Sequence, residues 1–149
     1  MADSTLGDEP VRTGRGGPLD ALHALFGAFP VAYFSLAFIT DIAYSRSTNL
    51  QWQYFSIWLI VAGLVMGGFA ILFGGVEWLI RRRRSAHGYG WHILLTIVAW
   101  LLALLNAFVH SRDGWTAVVP QGLILSGIVA LLMLLAAGMS AFRWGRSVR

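Results

Sequence analysis

From about position 19 onward, long apolar runs alternate with short polar links. Four runs, at roughly 19–43, 55–80, 91–110 and 117–142, meet the length of about 20 mostly apolar residues that a helix needs to cross a bilayer core. None shows the strict alternation of a half-buried strand. Backbone in lipid must satisfy its own hydrogen bonds, so runs of this kind predict transmembrane helices. The links "YSRSTNLQWQ", "RRRRSAHGYG" and "SRDGWTA" are short. Short links place successive helices side by side and antiparallel. The expected fold is all-α, an integral membrane four-helix bundle. Residues 1–18 are expected to be a disordered cytoplasmic tail, and 143–149 a cytoplasmic Arg-rich tail.

Composition agrees with this pattern. The chain has 149 residues, 57% of them hydrophobic and 12% charged. Charge in soluble domains runs near twice that share. The basic residues are all Arg. Arg12, Arg15, Arg81, Arg82, Arg83, Arg84, Arg143, Arg146 and Arg149 fall on one side of the predicted membrane, and Arg46 and Arg112 on the other. The positive-inside rule then assigns both termini and the "RRRR" loop to the cytoplasm. These arginines flank apolar runs, where they anchor to lipid headgroups, and they do not form a nucleic-acid patch. Aromatic residues gather at span ends in the manner of interfacial belts: Tyr44, Trp52, Tyr54, Trp58 and Trp115 at one face, Trp78, Tyr89, Trp91 and Trp144 at the other. The absence of Cys excludes disulfides, iron–sulfur clusters, thiolate metal sites and covalent c-type haem. The N-terminal segment has no apolar core and does not read as a secretory signal.

Polar residues inside the spans are the candidate chemistry. Eighteen residues make five helical turns, so His23 and Asp41 share a face, as do His92 and His110. Thr96 and Asn106 lie on the His92 stripe, where interhelical hydrogen bonds are the expected role. Antiparallel topology brings His23, Glu77 and His92 to one depth near the cytoplasmic face. Asp41 and His110 form a second, looser pair at the opposite face. Gly63, Gly67 and Gly74 make a small-residue packing stripe on the second helix, and Gly122, Ser126, Met133, Ala136 and Ser140 make another on the fourth. Pro30 is expected to bend the first helix. Each half of the chain opens with a His one turn into a helix and continues with a Gly-bearing helix, as two related hairpins would.

The motifs "LHALFGAFPVAYFSLAFITD", "GGVEWL", "WHILL" and "HSRDGWTAVVPQGLILS" together resemble a bacterial family of predicted membrane proteins, domain of unknown function 2231, over residues 19–142. The chain departs from that pattern in having Ala24 after His23 where the family has Pro. Glu77 stands where Asp is commoner, and Asn is missing just after His92. The resemblance implies a bacterial inner-membrane protein and names no activity.

Three roles fit the inner cluster. In the first, the buried His/Glu group locks helix register in an accessory, anchoring or assembly subunit. In the second, His23 and His92 are axial ligands of a b-type haem in an electron-transfer subunit, with Glu77 hydrogen-bonded behind one of them. In the third, His23, Glu77 and His92 bind zinc or iron, or serve proton-linked transport. Partners would be the bilayer, a membrane or redox protein, or further copies of the chain. Nucleophile-elbow, phosphate-loop and paired-carboxylate signatures are missing, which argues against a stand-alone enzyme.

Overall fold

The computed structural model describes residues 17–81, 87–112 and 115–147, without the side chains of Asp20, Glu77, Trp78, Arg81, His87–Tyr89, Trp115 or Arg143–Ser147. Four helices carry the fold: α1 Pro18–Ser47, α2 Leu50–Arg81, α3 His87–His110 and α4 Gln121–Ser147. A 3-10 turn at Trp115–Ala117 precedes α4, which therefore starts later than hydropathy alone suggests. All four helices are long and apolar enough to cross a membrane.

The polar link between the first two runs is mostly helical. Only Thr48 and Asn49 separate α1 from α2. Thr48 has φ 53°, a left-handed conformation that ends α1 while its N–H reaches Tyr44 O at 2.8 Å. Asn49 then caps α2 through its side-chain oxygen, which accepts from the Gln51 N–H at 3.0 Å. Pro18 opens α1, where its missing N–H costs nothing.

Each helix buries one narrow seam. The seam positions are Pro30, Phe34, Ala37, Asp41 and Tyr44 on α1, with Thr40 also buried beside them, and Gln53, Ser56, Ile60, Gly63, Gly67 and Ala70 on α2. On α3 they are Ala99, Ala103, Asn106 and His110, and on α4 they include Gly122, Ser126, Val129, Met133 and Ala136. Steps alternate between three and four residues, the repeat that keeps a seam turned inward in a left-handed bundle. Helix α1 packs on α2 and α4, and α3 packs on the same two, so α1/α3 and α2/α4 are the diagonals of a square. The start of α1, the end of α2, the start of α3 and the end of α4 lie at one end, called here the terminal end. The Thr48–Asn49 turn, residues 111–112 and residues 115–120 lie at the other, the loop end.

Lipid tails are as apolar as the helices, so association rests on close packing and polar contacts rather than on removal from water. The glycine stripe of α2 shows how. A Cβ at Gly63 would come within 2.6 Å of the Phe34 ring, one at Gly67 within 2.8 Å of Trp100, and one at Gly74 within 2.9 Å of His23. The stripe thus receives rings from α1 and α3 rather than a bare backbone. Trp100 is fixed further by its indole N–H, which donates to Leu64 O at 3.0 Å. Mid-bundle, Phe34, Ala99, Ala103, Val129 and Met133 form an apolar plug.

Tyr44, expected in an interfacial belt, is buried against Ala117 and Val118 and closes the loop end. Trp52, Tyr54, Trp58 and Trp91 are exposed, as lipid-facing aromatics would be.

Candidate functional site

The seam positions of the two hairpins correspond. Residues 69 apart on α1 and α3 pair His23 with His92, Pro30 with Ala99, Phe34 with Ala103, Ala37 with Asn106, and Asp41 with His110. Residues 66 apart on α2 and α4 pair Ser56 with Gly122, Ile60 with Ser126, Gly63 with Val129, Gly67 with Met133, and Ala70 with Ala136. Apart from His23 and His92, which are partly buried, both members of every pair are buried. Bulk is exchanged between them: Phe34 fits against Gly63, and the smaller Ala103 faces its seam where α4 carries Val129. The two-hairpin pattern suggested by the sequence is thus present in the packing.

The same correspondence governs the two polar layers. At the terminal end, His23 Nδ1 lies 2.9 Å from Ala70 O, and His92 Nδ1 lies 3.1 Å from Ala136 O. A carbonyl has no proton to give, so in both rings Nδ1 carries the hydrogen and donates it. A ring nitrogen anchored on a backbone carbonyl is also what orients metal-ligating histidines. Both rings line one cavity of ≈ 670 Å³ between the terminal halves of all four helices. Its other walls are small or apolar, including Gly27, Gly74, Thr96, Met133 and Ala136. The volume falls in the range of small-molecule and cofactor sites, about 300–1,000 Å³.

Glu77 lies on α2 one turn beyond Gly74, and its side chain is outside the described part of the structure. Among the described residues no group of three His, Cys, Asp or Glu side chains could hold a metal ion. Thr96, expected to bond across helices, instead donates to His92 O one turn back along α3, at 2.9 Å.

The loop-end layer is the opposite of the loose pair expected there. Asp41 and His110 are both fully buried, with His110 Nε2 3.0 Å from Asp41 Oδ1. Ser56 Oγ donates to the same oxygen, and Ser126 Oγ donates to Asp41 Oδ2 at 2.5 Å. Asn106 Nδ2 donates to Ser126 Oγ at 2.7 Å, and its Oδ1 accepts from His110 Nδ1 at 3.1 Å. The result is a closed ring, Asp41–His110–Asn106–Ser126, with Ser56 attached, drawn from all four helices. Each member is within 2% of complete burial. Asn106 therefore does bond across helices. Ser56 and Ser126 were not read as polar partners, because a lone Ser in an apolar run looks like any small residue. Deep burial and mutual satisfaction leave this ring no room for a ligand, whereas the terminal-end histidines face a cavity.

The family model for a predicted membrane protein, DUF2231, matches residues 19–141. The chain belongs to this family. Searches of curated proteins and of solved structures gave no match. Family membership supports a membrane protein and assigns no activity.

Proposed function

We propose that this DUF2231 protein is a membrane electron-transfer subunit that holds a b-type haem between His23 and His92. The observation that carries the reading is the tautomer. Two imidazoles on diagonal helices donate Nδ1–H to backbone carbonyls and stand in the wall of a shared cavity. Histidines on diagonal helices could together hold a macrocycle, which would supply one-electron redox chemistry when bound. The two-fold correspondence of the walls suits a cofactor whose faces are alike. A zinc or iron site built from three ligands would need Glu77 as well, and a haem does not. The small walls at Gly27, Gly74 and Thr96 give a flat ring room, and the absence of Cys agrees with non-covalent attachment.

Such an iron centre would pass single electrons, gaining one from a reduced donor and giving it to an oxidised acceptor. In the proposed orientation the terminal end lies on the cytoplasmic side of a bacterial inner membrane, where the nine arginines collect. The test is a titration of the purified protein in detergent with haemin, followed by reduction. The expected result is one haem per chain with the sharp reduced bands of six-coordinate low-spin iron, lost in the His23→Ala, His92→Ala double variant. Saturable binding that survives in the double variant, or none in the wild type, overturns the reading.

A further inference from the structure

The geometry of the loop-end ring fixes how many protons it holds. His110 Nδ1 lies 3.1 Å from the Asn106 backbone carbonyl and 3.1 Å from Asn106 Oδ1, both acceptors, so Nδ1 bears a hydrogen. The ring has no room to turn over, because Gly122 packs so closely that a Cβ there would lie 2.7 Å from Cε1. Nε2 therefore faces Asp41 Oδ1 at 3.0 Å, with both side chains fully buried. The hydroxyl protons of Ser56 and Ser126 are already directed at Asp41 Oδ1 and Oδ2. A neutral imidazole beside an ionised carboxylate would set two lone pairs against each other in a dry site and leave a buried charge uncompensated. One turn nearer the loop end on the same α2 seam, Gln53 is 6% exposed, and its Oε1 has no hydrogen-bond partner among the described residues. Buried acceptors of this kind are ordinarily satisfied by an ordered water.

We infer that Asp41 and His110 form a proton-binding site, with one proton held between Nε2 and Oδ1, and that Gln53 holds the water through which this proton exchanges with the loop-end side. The inference is independent of the haem reading. A proton needs no cavity, so close packing of the ring is no obstacle. Its loss is a transfer to water that leaves the carboxylate ionised and the imidazole neutral. Ser56 Oγ lies 3.4 Å from His110 Nε2, so its hydroxyl can then turn from Asp41 to the bared nitrogen. The apolar plug of Phe34, Ala99, Ala103, Val129 and Met133 bars water from the terminal end, which makes access one-sided. Among the described residues, the other titratable groups at this end are Tyr44, buried against Ala117 and Val118, and the exposed Arg46 and Arg112.

The test uses the full chain in lipid nanodiscs, labelled with ¹⁵N-histidine. Wild-type His110 should carry hydrogens on both ring nitrogens, or on Nδ1 alone together with an infrared carbonyl band from a protonated Asp41. In Asp41→Asn the new amide gives Nε2 a donor of its own, so His110 should be protonated at Nδ1 alone and the band should be absent. The signals that change in this near-isosteric variant also assign His110. A neutral His110 beside an ionised Asp41 in the wild type overturns the site. Exchange of the bound proton is then followed after transfer into deuterium oxide. It should slow roughly tenfold or more in Gln53→Leu and Gln53→Met, the effect of one missing hydrogen bond to a buried water. Exchange at the wild-type rate in both variants, each with wild-type helix content by circular dichroism, overturns the route through Gln53. A bound proton that exchanges only on unfolding overturns it as well.

Discussion

Replacing Asp41 with Ala isolates what the loop-end ring contributes. The carboxylate accepts from Ser56, Ser126 and His110, each fully buried or nearly so, and Ser56 has a second, longer contact on α1 with Ala37 O at 3.4 Å. Side-chain hydrogen bonds between membrane helices average about 0.6 kcal/mol and reach about 1.7, because the unfolded chain in lipid also finds partners. Three such bonds give about 2–5 kcal/mol. Removing one member of a buried ion pair costs about 3–5 kcal/mol in soluble proteins, so the two routes overlap near 3–5. Reversible unfolding in mixed micelles, driven by rising dodecyl sulfate and followed by circular dichroism, measures the loss. His110→Ala should cost a similar amount, and the double variant should cost less than the sum by about 1–3 kcal/mol, since each single change strands the other partner. Haem uptake at the terminal end should be retained, because the Phe34–Met133 plug separates the two layers. An Asp41→Ala protein within about 0.5 kcal/mol of wild type, the spread of ordinary surface changes, would refute the ring as a lock.

Two further variants probe the cavity. Gly27 lines it, and a Cβ there would meet nothing within 4 Å, so Gly27→Leu should fold as well as wild type. Its side chain occupies ligand space, and overpacking of about 1–3 kcal/mol should weaken haem binding about tenfold or more in the haemin titration. Gly74→Ala acts differently, since its Cβ would fall 2.9 Å from His23 Nδ1 and Cε1 and displace the ring from Ala70 O. Haem affinity should fall in that variant, and so should stability in the mixed-micelle assay, by about 1–3 kcal/mol.

Much of the architecture is legible in the chain because lipid imposes a simple code. Runs of the right length give the helix number, and the eighteen-residue spacings correctly place His23 with Asp41, and His92 with His110, on inward faces. Depth was readable too, since antiparallel topology alone brings Asp41 beside His110. What the pattern hides is which layer is filled. Ser56 and Ser126 complete the loop-end ring, yet a hydroxyl in an apolar run has no signature beyond its size. Ala70 and Ala136 anchor the histidines through backbone carbonyls, which no side-chain pattern records. The 69- and 66-residue correspondences of the two hairpins could have exposed both alanines. Ser140 was visible only as a member of a small-residue stripe, and its bond to His92 depends on the packing of α3 against α4. The link after Ser47 looked like a loop because its residues are polar, and a left-handed Thr48 with an Asn49 cap reduced it to two residues.

The most direct check of the account is the protonation of two imidazoles before any cofactor is added. Long-range ¹⁵N–¹H correlation spectra of ¹⁵N-histidine-labelled protein distinguish the two ring nitrogens, with His23→Ala and His92→Ala supplying the assignments. Neutral rings protonated at Nδ1 in both His23 and His92 are the expected result, matching donation to Ala70 O and Ala136 O. Rings protonated at Nε2, or averaging between tautomers as in free solution, would contradict it and leave the cavity without preformed ligands.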